Sequence, residues 1–232
     1  MTVEELRQHP DYEQWLTLSH EEILPFVQEE FGRRGLLTRF YLLLNLFLLL
    51  LMILLGAWQV TNGLINTSTV ILNSILGMGL ALTLLVPVHE GIHGLAYKLV
   101  GAPKVQYGSD IRRFIFFAMA DHFVVGFPRF IVVALAPFFV INLSAIFAIF
   151  YVSLNYQWIL LGVLFMHTGA CAGDFAMLSF FLRHRPEGIL TYDDVEGQRS
   201  FFFRASGSEG PPPAARDEVR VNAGNTNGDE QD

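Results

Sequence analysis

The chain has 232 residues, of which 52% are hydrophobic and only 16% are charged, and its formal net charge is −7. This composition favours a single integral membrane domain over a soluble globular protein. The negative net charge argues against a nucleic acid as partner. Cys171 is the only cysteine, which excludes an intrachain disulfide and a metal site built from cysteines alone.

The amino-terminal segment is polar and acidic, with apolar residues spaced among the charges. We expect residues 1–36 to form a cytoplasmic amphipathic segment of two short helices, with breaks near Pro10 and Pro25. This segment would lie on the cytoplasmic face of the membrane or pack against the loop that follows the second hydrophobic run.

Four hydrophobic runs predict transmembrane helices, because each is close to the roughly 20 residues that a helix needs to cross a bilayer. They extend from about 40 to 58, 70 to 99, 130 to 154 and 158 to 182. We therefore predict an all-α membrane protein with about four transmembrane helices, whose membrane-embedded domain covers residues 37–185.

The second hydrophobic run contains the sequence His89-Glu-Gly-Ile-His93 in its last third. On a helix, this His-Glu-x-x-His pattern places two imidazoles one turn apart on one face, as two ligands of a tetrahedral Zn²⁺ require. Glu90 between them can accept a proton from a water molecule that the metal activates. The five-residue pattern alone recurs by chance, but ionisable side chains in a membrane helix are costly and usually functional.

The loop from 101 to 128 contains two β-prone stretches, at 105–108 and 114–120. We predict an apolar β-hairpin or re-entrant segment here, between the second and third transmembrane helices and close to the motif. Exposed strand edges in such a segment could pair with an extended peptide. The alternative is an interfacial loop that only reaches the lipid headgroups.

The third hydrophobic run contains Pro137 and Asn142. Pro137 is expected to kink the helix and to free a backbone carbonyl group. Asn142 can hydrogen-bond across helices. Both roles are structural, and the alternative is that these residues position a substrate.

A zinc site needs a third protein ligand, and the fourth run offers Asp174 and His167. The second and fourth runs would both cross the membrane from the outside to the inside. At a helical rise of 1.5 Å per residue, His89 lies about 28 Å from the outer end of the second run, and Asp174 lies about 24 Å from the outer end of the fourth. We therefore predict Asp174 as the third ligand. His167 lies about 10 Å nearer the outer face. It is the alternative ligand, or else it supports the site or bonds to a neighbouring helix.

The distribution of Lys and Arg predicts the orientation of the chain in the membrane. These residues precede the first run, lie between the second and third, and follow the fourth, whereas the two short loops on the other side contain none. By the positive-inside rule both termini and the loop from 100 to 129 are cytoplasmic. The tail, residues 186–232, is accordingly cytoplasmic and is predicted to be disordered from about residue 206, where its composition is rich in Gly, Pro, Asn and acidic residues.

Four motifs together resemble a family of bacterial and archaeal membrane proteins known as zincin peptidases, over roughly residues 70–185. They are His89-Glu-Gly-Ile-His93, Gly101-Ala-Pro-Lys-Val-Gln-Tyr-Gly108, Ala134-Leu-Ala-Pro137 and Gly173-Asp174. The arrangement of site residues in that family is similar to that of the site-2 proteases, which also combine a membrane-embedded His-Glu-x-x-His motif with an Asp that is distant in the sequence. The third-ligand motif of the site-2 proteases is Leu-Asp-Gly, whereas this chain has Gly-Asp-Phe, which places it outside the core of that group. The resemblance implies an intramembrane zinc peptidase of a prokaryotic cell membrane.

The predicted function is an intramembrane zinc metalloprotease whose partners are the lipid bilayer and a membrane protein or peptide substrate. His89, His93 and Asp174 would bind Zn²⁺, and Glu90 would act as general base. The alternative is a catalytically silent zinc-binding scaffold or adaptor, against which the presence of Glu90 counts, since a structural site needs no base. A zinc carrier would be expected to offer more than one ligand cluster. The sequence leaves open the hydrolysis of a lipid or small amide, and also the oligomeric state.

Overall fold

The computed structural model describes residues 1–110 and 115–208 of the chain. The protein is mostly helical, with small antiparallel sheets beside the helices. The helices are α1 (Val3–Arg7), α2 (Ile23–Gly32), α3 (Leu36–Thr61), α4 (Thr67–Thr83), α5 (Leu85–Leu99), α6 (Phe127–Ile149), α7 (Leu154–Ala170) and α8 (Ala172–Arg183). The strands are β1 (Tyr12–Ser19), β2 (Gln106–Asp110), β3 (Ile115–Met119), β4 (Val125–Gly126), β5 (Leu190–Asp194) and β6 (Arg199–Ala205).

Two to four helical segments of the described chain are long and apolar enough to cross a membrane. Helices α3 and α6 qualify individually, and α4 with α5 and α7 with α8 qualify as pairs that bend by 46° and 42°. The outward faces of these helices expose large apolar side chains, such as Leu43 and Leu54 on α3 and Phe147 on α6. The structure is therefore compatible with a membrane protein, and the number of four crossings stays a prediction.

Both bends have a local cause in the sequence. Pro87 has no N–H to donate to the carbonyl group four residues earlier, so the helical ladder is interrupted where α4 ends and α5 begins. The second bend falls at Cys171, between Gly169 and Gly173, and glycine weakens a helix. As a result, the motif lies on α5 and Asp174 on α8, each on the second helix of a bent pair.

Helices α4 and α7 pack closely because a glycine on each faces the backbone of the other. A Cβ atom on Gly77 would lie 1.9 Å from the carbonyl oxygen of Ile159. A Cβ atom on Gly162 would lie 2.2 Å from the carbonyl oxygen of Ser74. This contact holds α4 against α7. It therefore also determines where α5 and α8, the second helices of the two bent pairs, begin.

The four-stranded sheet joins the two ends of the described chain. Its antiparallel strand order is β1-β6-β5-β4, with Tyr12 of β1 opposite Ala205 of β6. The prediction of an all-α protein is therefore wrong on this point, and so is the prediction that residues 12–19 form part of a helix. Strand formation there depends on a partner nearly 190 residues away, which no local pattern of apolar residues reveals.

The sheet also incorporates part of the segment that was predicted as a tail. Strands β5 and β6 both lie within residues 186–205, so this stretch is folded against the amino-terminal segment. Ser206 continues the contact, since its N–H donates to the carbonyl group of Asp11. The predicted disorder concerns mainly residues 209–232, which lie outside the described residues.

Strands β2 and β3 pair antiparallel, with Gln106 opposite Met119. Strand β3 also packs against α5, the helix that carries the motif. The connecting residues 111–114 lie outside the described residues. The predicted hairpin turn, and the depth of this segment in the membrane, therefore stay predictions.

An aromatic core attaches the four-stranded sheet to the helices. Its members come from β1, α2, α8 and β6 and include Trp15, Phe26, Phe180 and Phe202. At the edge of this core, the buried carboxylate of Glu30 on α2 pairs with Arg183 at the end of α8. The sheet and α2 thus cover the end of the bundle where α5 and α8 bring the motif and Asp174 together.

Candidate metal centre

Helix α5 places His89 and His93 one turn apart, and Asp174 of α8 faces both imidazoles. The two Nε2 atoms are 3.0 Å apart. Asp174 Oδ2 lies 3.4 Å from Nε2 of His89, and Asp174 Oδ1 lies 3.2 Å from Nε2 of His93. The structure therefore brings together the three residues that the sequence analysis names as ligands.

These three distances fit a tetrahedral metal ion. Zinc binds nitrogen and carboxylate oxygen at about 2.0–2.1 Å, so two ligand atoms at the tetrahedral angle lie about 3.3 Å apart. Two imidazoles and one carboxylate also match the ligand sets of catalytic zinc sites, which keep a fourth position open. A cation between the two Nε2 atoms and the Asp174 carboxylate would be electrostatically favourable, because all three groups offer it lone pairs.

The other ring nitrogen of His93 contacts the backbone of α6. Its Nδ1 atom lies 2.9 Å from the carbonyl oxygen of Val133. A carbonyl can only accept a hydrogen bond, so Nδ1 carries the proton and Nε2 presents its lone pair to the site. Pro137 follows Val133 by four residues and has no N–H that could occupy this carbonyl group. The carbonyl group that Pro137 frees is thus the one that orients His93.

His89 is held by a second chain of hydrogen bonds. Its Nδ1 atom lies 3.1 Å from Nε2 of His167, and Nδ1 of His167 lies 2.9 Å from Oδ1 of Asn142. The amide nitrogen of Asn142 donates to the hydroxyl group of Thr168 at 3.1 Å. Because Asn142 Oδ1 can only accept, His167 carries its proton on Nδ1 and accepts on Nε2 from His89. This chain leaves Nε2 of His89 free for a metal.

The two candidates for third ligand lie on different sides of the His89 ring. His167 faces Nδ1 of His89, on the opposite side of that ring from His93 and Asp174. His167 therefore lies outside the group of atoms formed by the two Nε2 atoms and the Asp174 carboxylate. Cys171 lies beside His167, with Sγ 3.9 Å from its Nε2, so His89, His167 and Cys171 form a second group of ligand atoms on the far side of the ring.

Glu90 lines the same cavity as the three candidate ligands. It follows His89 on α5, and its carboxylate accepts a hydrogen bond from the backbone N–H of Ala118 in β3. The contact holds the Glu90 carboxylate against β3, in the wall of the cavity. A fixed carboxylate next to a metal ion is the arrangement that general-base catalysis requires.

The cavity has a volume of about 300 Å³ and a largely apolar wall. Side chains from β1, α2, β3, α6, α8, β5 and β6 contribute to this wall. Two polar members of this wall, Asp193 and Ser200, are not predicted from the sequence, because both lie in the stretch whose composition predicts a tail outside the membrane domain. Only the pairing of β5 with β6 brings them to the cavity, and nothing in the local sequence indicates that pairing.

The remaining histidines whose side chains the structure describes lie elsewhere and bond locally. His9 lies near Asp11, His122 bonds to Asp121, and His184 bonds to Glu187. Asp121 and His122 form a partly exposed group with Asp194, but Asp121 is already used by the backbone N–H of Val195. Each of these three histidines therefore has a carboxylate partner close to it in the chain, and its position does not depend on a metal ion.

Part of the chain matches the model of a known protein family. Residues 82–189 match the model of a family described as "Putative zincin peptidase", which is just under half of the chain. This part of the chain is similar to a zincin-like family. The matched range contains the whole candidate metal centre, from His89 to Asp174, and its similarity supports a zinc metallopeptidase. No curated protein and no solved structure matches the chain.

Proposed function

We propose that the protein is an intramembrane zinc metallopeptidase that hydrolyses peptide bonds of membrane-associated protein substrates. The observation that carries this proposal is the convergence of His89, His93 and Asp174 at one point of a cavity that Glu90 also lines. A structural zinc site is closed by four protein ligands and needs no base, whereas this arrangement offers three ligands and a carboxylate.

Each residue of the site has a distinct role in the proposed hydrolysis. His89, His93 and Asp174 would hold Zn²⁺, and the ion would supply polarisation of the peptide carbonyl group and acidification of a water molecule. Glu90 accepts the proton of the attacking water and donates it to the leaving nitrogen of the substrate. The N–H of Ala118 keeps the Glu90 carboxylate in place for both transfers. Val133 and His167 keep the two imidazoles in the tautomer that directs Nε2 to the site.

The proposed substrate position lies along the outer edge of β3. Residues of β3, among them Phe116 and Ala118, line the cavity, and the Glu90 carboxylate bonds to the backbone of Ala118. An extended peptide that pairs with the edge would pass between β3 and the candidate ligands. A helical substrate has to unwind first, because its carbonyl groups are occupied within the helix.

The proposed location follows from the exposed surface of the helices. Leu43 and Leu54 on α3 are 64% and 68% exposed, and Phe147 on α6 is 65% exposed. Apolar side chains on long helices at such exposure are suited to lipid rather than to water. We infer four crossings of a prokaryotic cell membrane, with both termini and the four-stranded sheet in the cytoplasm. Water would then reach the site by a short path.

Zinc content and proteolysis of matched variants test this proposal. The purified protein is expected to bind about one zinc ion per chain, and His89→Ala, His93→Ala and Asp174→Ala should lose it or bind it weakly. Glu90→Gln should retain zinc and fold but lose proteolysis, since general-base catalysis contributes about 10²–10⁴ in rate. Proteolysis is measured as new peptide termini in membranes that contain the protein. Glu29→Gln, on α2 and paired with Arg33, is the matched control.

Two outcomes would overturn the assignment. Full zinc occupancy in Asp174→Ala together with loss in His167→Ala would replace Asp174 by His167 as third ligand. If Glu90→Gln retains zinc and the full cellular activity of the protein, the peptidase proposal fails and a zinc-binding scaffold takes its place.

A further inference from the structure

The cavity beside the candidate metal centre contains one more carboxylate, that of Asp193. It lies on β5, beyond the range that resembles the zincin-like family. The cavity volume of about 300 Å³ is at the lower end of the range of small-molecule pockets, which is about 300–1,000 Å³. One compact space therefore holds both the proposed reaction centre and the Asp193 side chain.

Asp193 is held in position from two sides. Ser200 lies opposite it in the pairing of β5 with β6, and the Ser200 hydroxyl group donates to Asp193 Oδ1 at 2.6 Å. On the other side, the backbone N–H of His122 donates to the carbonyl oxygen of Asp193 at 2.9 Å. The hydroxyl bond uses one carboxylate oxygen and supplies no positive charge. In the described structure no Lys, Arg or His forms an ion pair with Asp193.

Among the described residues that line the cavity, the negative charges outnumber the positive ones. Among its described wall residues there is no Lys or Arg. A bound Zn²⁺ would be balanced by the carboxylates of Asp174 and Glu90, and Asp193 then adds one negative charge. Burial raises the pKa of Asp193 to about 6, so the group is still ionised at neutral pH. A partly buried carboxylate without a cation is unfavourable, and a positively charged ligand would relieve this cost.

We propose that Asp193 binds a positively charged group of the substrate, an ammonium or a guanidinium, and so makes the peptidase selective for cationic peptides. The group could belong to a Lys or Arg side chain near the scissile bond or to a free peptide amino terminus. Selectivity for cleavage rests on the proposed function, whereas the binding of the cation by Asp193 does not require zinc. The apolar remainder of the wall would contact the uncharged parts of the same peptide.

Calorimetric binding of short peptides tests this inference without any need for turnover. The protein carries Glu90→Gln, and the titrations are run with the zinc-loaded form and again after treatment with a chelator. Three amidated, acetylated peptides differ at one position only, which is Lys, norleucine or Glu. A fourth peptide has norleucine and a free amino terminus. The first and fourth peptides distinguish the two sources of the positive charge.

At least one of the two cationic peptides should bind more tightly than the neutral peptide, by about 10- to 100-fold, as expected for a charged hydrogen bond. Asp193→Asn should remove this preference in both forms of the protein and leave binding of the neutral peptide unchanged. The introduced asparagine can still accept the hydrogen bond from Ser200, so the fold of β5 is preserved. Asp194→Asn is the matched control, because the neighbouring carboxylate bonds to the N–H of Gly197 and does not line the cavity.

Equal binding of neutral and cationic peptides, an unchanged preference in Asp193→Asn, or the absence of binding by every peptide would overturn the inference. A protein that binds no zinc yet shows a cation preference dependent on Asp193 would contradict the proposed function and support the inference. The two proposals can therefore fail separately.

Discussion

The Nδ1 atom of His93 lies 2.9 Å from the carbonyl oxygen of Val133, and that oxygen is free because Pro137 follows four residues later. A proline inside α6 thus sets the tautomer of an imidazole on α5. Partners of this kind orient metal ligands and raise their basicity, so their loss weakens metal binding. Through this contact, the backbone carbonyl group that Pro137 leaves free orients a candidate metal ligand.

Pro137→Ala should weaken zinc binding although it removes no atom near the metal. The introduced alanine would offer its N–H to the Val133 carbonyl group and compete with His93. We expect the zinc affinity to fall about 10-fold or more, within the range of about 10- to 100-fold known for such partners. The measurement is competition with a chromogenic chelator. Pro128→Ala, in the first turn of α6, is the control, and equal affinities in both variants would contradict this role for Pro137.

The hydrogen bonds from His89 through His167 to Asn142 give a second prediction about the metal. His167→Ala and Asn142→Ala should each lower the zinc affinity about 10- to 100-fold without abolishing binding, since they remove support for His89 and not a ligand. Asp174→Ala should have the larger effect. Asn45→Ala is the control, because Asn45 bonds to the carbonyl group of Tyr41 in its own helix. An unchanged affinity in both variants would count against the proposed support.

The candidate site shows which features a sequence can predict. His89, Glu90 and His93 are close along one helix, so their geometry follows from the helical repeat alone. Asp174 could be selected because two parallel runs place residues at comparable depth. The hydrogen-bond partner of His93 could not be foreseen, since it depends on which carbonyl of α6 faces α5. Asp193 could not be foreseen either, because the pairing of β5 with β6 and β1 depends on contacts that are distant in the chain.

Because α4 and α7 are in close contact, we predict that the stability of the protein depends strongly on the size of the side chain at the two glycine positions of this contact. Gly77→Ala and Gly162→Ala should each destabilise the protein by about 1–3 kcal/mol or more, because the added methyl group meets a backbone carbonyl of the facing helix. Gly79→Ala on the same helix is the control, since nothing lies within 4 Å of its Cβ position. Thermal unfolding in detergent measures the difference. Equal unfolding temperatures for Gly77→Ala and Gly79→Ala would show that the helices do not approach as described.

The proposed orientation predicts which cysteines a membrane-impermeant reagent can label in intact cells. Asn62→Cys, after α3, should react from outside, whereas Glu196→Cys, between β5 and β6, should react only after the cells are opened. Both positions are exposed, and the native Cys171 is buried and should contribute little background. Labelling of Glu196→Cys in intact cells would exclude the four-crossing arrangement with a cytoplasmic sheet.

Asp193 predicts a pH dependence of stability. Its pKa is raised by burial to about 6, above the value of about 3.9 expected in an unfolded chain. Between these values the folded protein binds more protons than the unfolded chain, so the contribution of Asp193 to stability decreases as the pH rises from about 4 past 6. An asparagine at this position does not titrate. Asp193→Asn should therefore gain stability relative to the native protein as the pH is raised from 4.5 to 7.5, by on the order of 1–3 kcal/mol.

Unfolding temperatures of the two proteins, treated with chelator and free of peptide, give this comparison. Since all other titrating groups are shared, the difference between the proteins isolates Asp193. A difference that stays constant across the pH range would show that the Asp193 carboxyl group is not perturbed by its surroundings.

The pairing of β1 with β6 determines the order in which the molecule can be completed during translation. Strand β1 emerges from the ribosome before the first long helix, but its partner follows the last one. The wall of the cavity formed by Leu18 and Phe202 can close only after every helix has been synthesised. A nascent chain therefore carries the candidate zinc ligands before it possesses a finished compartment for a substrate.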